Sequence, residues 1–166
     1  MAQIYISIGS NIDAEHNIRG AIHALREQYG ELILSSVYES ASVGFEGDNF
    51  LNLVVGLKTD QSVQDVLDTL HDIENRFGRK RTGPRFSSRT LDLDLLLYDD
   101  LDLQDQGIDL PREEITHNAF VLQPLAEIAP DLKHPQLQNT ISELWQQFDK
   151  ASQSLWAIPF EWEGKD

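Results

Sequence analysis

The chain has 166 residues, 40% hydrophobic and 25% charged, with a formal net charge of −15 and no cysteine. That length predicts one domain over residues 1–166 around a single core. The acidity argues against general nucleic-acid binding, and the missing cysteines exclude disulfides and thiolate metal sites, as suits a cytoplasmic protein. Met1-Ala2-Gln3-Ile4-Tyr5 is no secretion signal, and no apolar run approaches the roughly 18 residues of a membrane span.

Residues 2–9 read as a buried strand ending in the turn Gly9-Ser10-Asn11. Ile18, Ala21, Ile22, Leu25 and Tyr29 then recur at helical spacing, closed by Gly30 as a C-cap. A second strand is expected from Glu31 to Ser40, and a loop of functional length from Ser40 to Asn49. Phe50 to Lys58 reads as a third strand. Ser62, with Asp65 three residues on, predicts the cap of a second helix whose apolar stripe runs through Val63, Val66, Leu67, Leu70, Ile73 and Phe77 to a stop at Gly78. After an arginine-rich loop comes a strand containing Asp92 and Asp94. The order β-α-β-β-α-β predicts an α+β protein, a ferredoxin-like sandwich with an antiparallel sheet and helices on one face. C-terminal additions follow: helices around Ala119–Ile128 and Ile141–Phe148, and a strand at Leu155–Phe160.

The chemistry concentrates around Arg89-Thr90-Leu91-Asp92-Leu93-Asp94-Leu95. As a strand, this run puts Leu91, Leu93 and Leu95 on one face and both carboxylates on the other, roughly 6.5–7 Å apart. Two such carboxylates repel unless a cation lies between them, and Mg²⁺ takes one or two protein carboxylates together with substrate phosphates. The bland alternative is the solvent face of a charged edge strand. Just upstream, Arg76, Arg79, Lys80, Arg81, Arg85 and Arg89 fall within 14 residues that contain no acid. The rest of the chain carries about −21, so this is a local inversion of sign. Arginine forks suit phosphate, although a basic loop alone is more often a solvated surface.

Other features are ambiguous or negative. Gly9-Ser10-Asn11 before a helix resembles a phosphate-binding turn, but no Gly-Lys-Ser/Thr accompanies it, and it reads as structural. Glu74 is either a surface acid or a ligand contact. Phe86 either stacks on a flat ligand or anchors the basic loop. The five histidines are scattered without metal-ligand spacing, and no Ser-His-Asp arrangement exists.

Ile6-Ser7-Ile8-Gly9-Ser10-Asn11, Phe50-Leu51-Asn52, Gly78-Arg79-Lys80-Arg81, Arg89-Thr90-Leu91-Asp92-Leu93-Asp94 and Phe120-Val121-Leu122-Gln123-Pro124-Leu125 occur in that order. The pattern resembles the 6-hydroxymethyl-7,8-dihydropterin pyrophosphokinase family of folate biosynthesis over roughly residues 3–135. The resemblance implies transfer of the terminal pyrophosphoryl group of ATP to the pterin hydroxymethyl oxygen, leaving AMP. It implies two Mg²⁺ ions on Asp92 and Asp94, with Arg79 and Arg89 stabilising charge on the transferring group. ATP contacts are implied for Glu74, Arg81, Arg85, Arg89 and Leu95. Asn52 would bind the pterin edge, with Phe86 and Phe120 sandwiching the ring and Ser40, Val43 and Gly44 lining the pocket. Loops 40–49 and 79–90 would close over the substrates, and the protein would act as a monomer.

The chain departs from the family pattern in several places. Phe86-Ser87-Ser88 replaces Trp-Gly-Pro, with Gly83-Pro84-Arg85 earlier. Ala41-Ser42 replaces Pro-Pro, and His71 replaces a glutamine. Arg112 stands where a histidine is expected and inherits that ATP-binding place, whereas Gly107 and Asn118 replace arginines. Losing two arginines and gaining one predicts weaker ATP binding, by about 1–3 kcal/mol. The leading reading is an active pyrophosphokinase. Its alternatives are a divergent paralogue that binds pterin or nucleotide with little activity, and a regulatory module that binds an anionic metabolite.

Overall fold

The computed structural model describes residues 1–41, 49–77 and 91–162. The first strand, β1 (Ala2–Ser10), is central because its alternation buries Ala2, Ile4, Ile6 and Ile8 on one face. It pairs antiparallel with β4 (Phe50–Thr59) on one side and with β5 (Asp92–Tyr98) on the other. The predicted second strand is two short ones, β2 (Ile33–Leu34) and β3 (Val37–Ser40), both against β4. The break has a cause. The Ser35 hydroxyl accepts from Val54 N–H at 2.9 Å, and the Ser36 N–H and hydroxyl are both taken by the Glu127 carboxylate. Side chains thus replace rungs of the backbone ladder. A last strand, β6 (Leu155–Ile158), pairs with β3, so the sheet runs β5-β1-β4-β3-β6 with β2 beside β4.

Helices α1 (Ala14–Tyr29) and α2 (Val63–Arg76) cover one face of the sheet. Gly30 closes α1 at φ 84°, and the Ser62 hydroxyl accepts from Asp65 N–H at 3.2 Å to open α2. Phe77 ends α2 and packs on Gly20 of α1, where a Cβ would lie 2.4 Å from its ring. The predicted stop at Gly78 lies outside the described residues.

Helices on one face alone were expected; the second face is partly covered too. A four-residue turn of helix absent from the sequence reading, α3 (Glu114–His117), leads into α4 (Ala119–Ile128), which is followed by α5 (Ile141–Gln147). Their apolar side chains join Val54, Leu96 and Leu97 in a second core. Thr140 and Glu143 form a reciprocal capping box at the start of α5.

A bulge lets β5 serve both cores. Ile6 pairs with Leu95 and Tyr5 with Leu97, leaving Leu96 as the extra residue. Before it, Leu91, Leu93 and Leu95 face the first core; after it, Leu96 and Leu97 join the second. The carboxylates of Asp92 and Asp94 therefore share the face that α4 and α5 partly cover. Among the described residues, no helix is long and apolar enough to cross a membrane.

Candidate active site

Strand register assembles the site. Asp92 pairs with Gly9, Gly9 with Asn52, and Asn52 with Tyr38, so these four lie in one row across four adjacent strands. Beside that row, Asp94 pairs with Ser7 and Ser7 with Val54. Asn52 is buried, and its amide reaches the Ser40 hydroxyl at 3.5 Å, a marginal hydrogen bond. Gly9 makes that placement possible: a Cβ there would come within 2.7 Å of Asn52 Oδ1. Phe120, in the first turn of α4, packs half-buried against the second core. Ser40, Asn52, Phe120, Asp92 and Asp94 thus belong to one side of the sheet.

Asp94 is strongly perturbed. Its side chain is 30% exposed, and its pKa is pushed up to about 7. Desolvation is the main cause; Glu114, Asp92 and Glu74 add to it, and Arg112 opposes it. Arg112 Nη2 lies 3.5 Å from Asp94 Oδ1 and 2.8 Å from Glu114 Oε1, and Nη1 lies 3.9 Å from Asp109 Oδ2. Its backbone N–H donates to Leu96 C=O at 3.0 Å, which fixes the segment against β5. Burial disfavours the guanidinium's charge, but Asp94 and Glu114 outweigh it and raise its pKa. Arg112, expected from the resemblance to contact ATP, thus meets Asp94 directly. Glu114, which the sequence reading did not single out, holds it. It lies two residues from Arg112, and the chain's return beside β5 brings that pair to Asp94.

Two other expectations change in detail. Glu74 is no surface acid: it is 3% exposed, and its Oε2 accepts from Leu93 N–H at 2.8 Å on the outer edge of β5. Leu95 points away from the carboxylates into the first core, as the period of two dictates, so only its backbone is available to a nucleotide. The Gly9-Ser10-Asn11 turn is buried at Ser10 and Asn11, and the Ser10 hydroxyl donates to Ile12 C=O at 3.2 Å, which suits a structural role. Val43, Gly44, Arg79, Arg81, Arg85, Phe86 and Arg89 lie outside the described residues.

Fold and site together define an α+β domain that presents paired carboxylates and an amide on one sheet face. Residues 5–130 match the model of the 7,8-dihydro-6-hydroxymethylpterin-pyrophosphokinase family, and the chain belongs to that family. It is 37% identical over 147 residues to the 2-amino-4-hydroxy-6-hydroxymethyldihydropteridine pyrophosphokinase of Synechocystis sp., covering 87% of this chain and 75% of the relative. The enzyme of the same description from Haemophilus influenzae is 36% identical over 152 residues, covering 89% and 94%. Among solved structures, wild-type Plasmodium falciparum HPPK-DHPS with pteroate superposes with a TM-score of 0.69 at 17% identity. It covers 88% of this chain but only 42% of that longer one, and it supports the fold alone.

Proposed function

We propose that this sheet face is the catalytic centre of an ATP-dependent pyrophosphokinase, with Asp92 and Asp94 holding two Mg²⁺ ions. Family membership gives the reaction: pyrophosphate passes from ATP to 6-hydroxymethyl-7,8-dihydropterin in folate biosynthesis. The pterin hydroxymethyl oxygen gives up its proton to solvent and bonds to the β-phosphorus, the bond from that phosphorus to the α,β-bridging oxygen breaks, and AMP leaves. Such transfers depend mainly on positioning and charge neutralisation.

The observation that carries this reading is the row Asp92–Gly9–Asn52 with Asp94 beside it. One end offers hard oxygen donors, and the other a buried amide with the hydrogen-bonding groups of a pterin edge. Among the described residues no three acids or histidines cluster as a metal cage. Mg²⁺ does not need one, because substrate phosphates and water complete its shell. Asp94 fits a cation especially well, since its ionised form is held at a cost in the protein alone. Bound there, Mg²⁺ would neutralise phosphate charge as a Lewis acid.

The protein's own groups divide the remaining work. Asn52 holds the pterin edge, Phe120 and Phe86 its faces, and Ser40, Val43 and Gly44 the pocket wall. Arg79 and Arg89 stabilise charge on the transferring group, while Arg81, Arg85, Arg112, Glu74 and the Leu95 backbone contact ATP. We read the β5-β1-β4-β3 order, with α1 and α2 on one face, as ferredoxin-like. A monomer in the reducing cytoplasm is the form that suits a cysteine-free chain of this family.

Direct detection of AMP tests the proposal. AMP should form only when ATP, Mg²⁺ and the hydroxymethyl dihydropterin are all present, and Asp92→Asn and Asp94→Asn should each abolish it while the circular dichroism spectrum is unchanged. Normal turnover in either variant would remove the metal assignment. Tight nucleotide binding without AMP in the wild-type protein would favour the divergent, non-catalytic paralogue.

A further inference from the structure

We propose that Arg112 is an exchangeable counter-ion, neutralising Asp94 in the cation-free protein and turning to a nucleotide phosphate when a divalent cation takes that carboxylate. The inference rests on the metal role of Asp94 proposed above.

Three features let the Arg112 guanidinium swing while its main chain stays fixed. Its Nη2 is bound tightly to Glu114 at 2.8 Å but loosely to Asp94 at 3.5 Å, longer than a strong charge-assisted hydrogen bond. Glu114 is thus the pivot and Asp94 the contact that can be given up. Glu114 is itself steadied by Asn118 Nδ2 at 3.4 Å. Next, the Arg112 Nε is buried with no hydrogen-bond partner among the described residues, so leaving the present pose forfeits no hydrogen bond to them there. Last, the main chain is pinned through Arg112 N–H to Leu96 C=O at 3.0 Å, so side-chain rotation alone moves the guanidinium and keeps it near Asp94.

The charges set the direction of exchange. A divalent ion on Asp94 would repel a guanidinium a few ångströms away, while phosphates entering with the ion would attract it. The planar fork suits phosphate oxygens as well as it suits the carboxylates it leaves. An arginine here therefore weakens binding of the bare ion and strengthens binding of the nucleotide that follows. A residue serving only to fasten α3 to β5 would weaken the bare ion in the same way but would add nothing to binding of the nucleotide.

The test uses Mn²⁺ alone, followed through the electron paramagnetic resonance of the free ion, on wild type, R112M, R112Q and D94N at one fixed pH. R112Q keeps a neutral donor for Glu114 and guards against misfolding in R112M; thermal melts verify both. Calorimetry with the α,β-methylene analogue of ATP in saturating Mg²⁺ gives the second readout. Losing one positive charge at this distance should tighten Mn²⁺ binding at least about fivefold. Losing the phosphate contact should weaken analogue binding about tenfold. Unchanged or weaker Mn²⁺ binding in both arginine variants, or unchanged analogue binding, would overturn the exchange. If D94N loses Mn²⁺ while the arginine variants match wild type, the exchange alone fails. If D94N still binds Mn²⁺ like wild type, the metal role of Asp94 fails with it.

Discussion

Replacing Asp94 by Asn should inactivate the enzyme and yet stabilise the protein alone. Burial pushes the Asp94 pKa up to about 7, from the ordinary carboxylate value of 3.8. The folded state therefore binds the proton more tightly than the unfolded state. Stability contributed by this site is fully present below pH 4 and is lost as pH rises toward 7. At about 1.4 kcal/mol per unit the upper bound is roughly 4 kcal/mol. The side chain keeps 30% of its exposure, so solvent screening cuts the figure, to about 2 kcal/mol. Asn removes that penalty without stranding Arg112, which keeps Glu114 at 2.8 Å. In a chain of 166 residues the gain amounts to about 4–8 °C in Tm at neutral pH. Scanning calorimetry of both proteins in EDTA from pH 4 to pH 8 would show the gap opening as pH rises. Saturating Mg²⁺ should then raise the wild-type Tm and leave that of the variant alone. A D94N protein less stable than wild type at pH 7.5, or a gap constant with pH, would refute the reasoning.

Two further perturbations read other parts of the architecture. Gly9→Ala places a methyl 2.7 Å from Asn52 Oδ1 and should raise the KM for the pterin substantially while the KM for ATP stays put; steady-state kinetics with each substrate varied would decide it. Glu127→Ala removes the acceptor for Ser36 N–H, the Ser36 hydroxyl and the Tyr38 hydroxyl, the last at 2.7 Å. Urea unfolding should show a loss of about 1–3 kcal/mol, and an unchanged midpoint would mean that the three donors re-pair elsewhere.

Much of this organisation can be read in the chain itself, because local rules governed it. The Leu/Asp alternation of 91–95 forced its carboxylates onto one face, and Ser62 and Gly30 marked helix ends through capping and positive φ. The misses lie where distant groups decide. Ser35 and Ser36 look like ordinary strand residues until Val54 and Glu127 arrive from elsewhere to claim them. The second-face helices were legible as helices, but no periodicity announces the bulge that turns Leu97, as well as Leu96, toward them. Glu114 and Asp109 are near neighbours of Arg112 in sequence, but Asp94 meets the same guanidinium only through the fold of the segment after β5. Of the expected site, the arginine loop and residues 43 and 44 lie outside the described residues, and their roles rest on resemblance.

The bulge also explains how a strand can carry an electrostatically costly site. Before it, Leu91, Leu93 and Leu95 lock β5 into the first core beneath α2; after it, Leu96 and Leu97 lock the same strand to the second core. Asp92 and Asp94 sit on the one stretch whose back is buried and whose following residues are anchored on the opposite face. Glu74, bonded to Leu93 N–H between the two acids, fastens the free edge as well. Such anchoring keeps mutual repulsion from peeling the strand away before a cation arrives. The positional precision wanted of a phosphate-transfer site and the tolerance of its unneutralised charge thus come from the same packing.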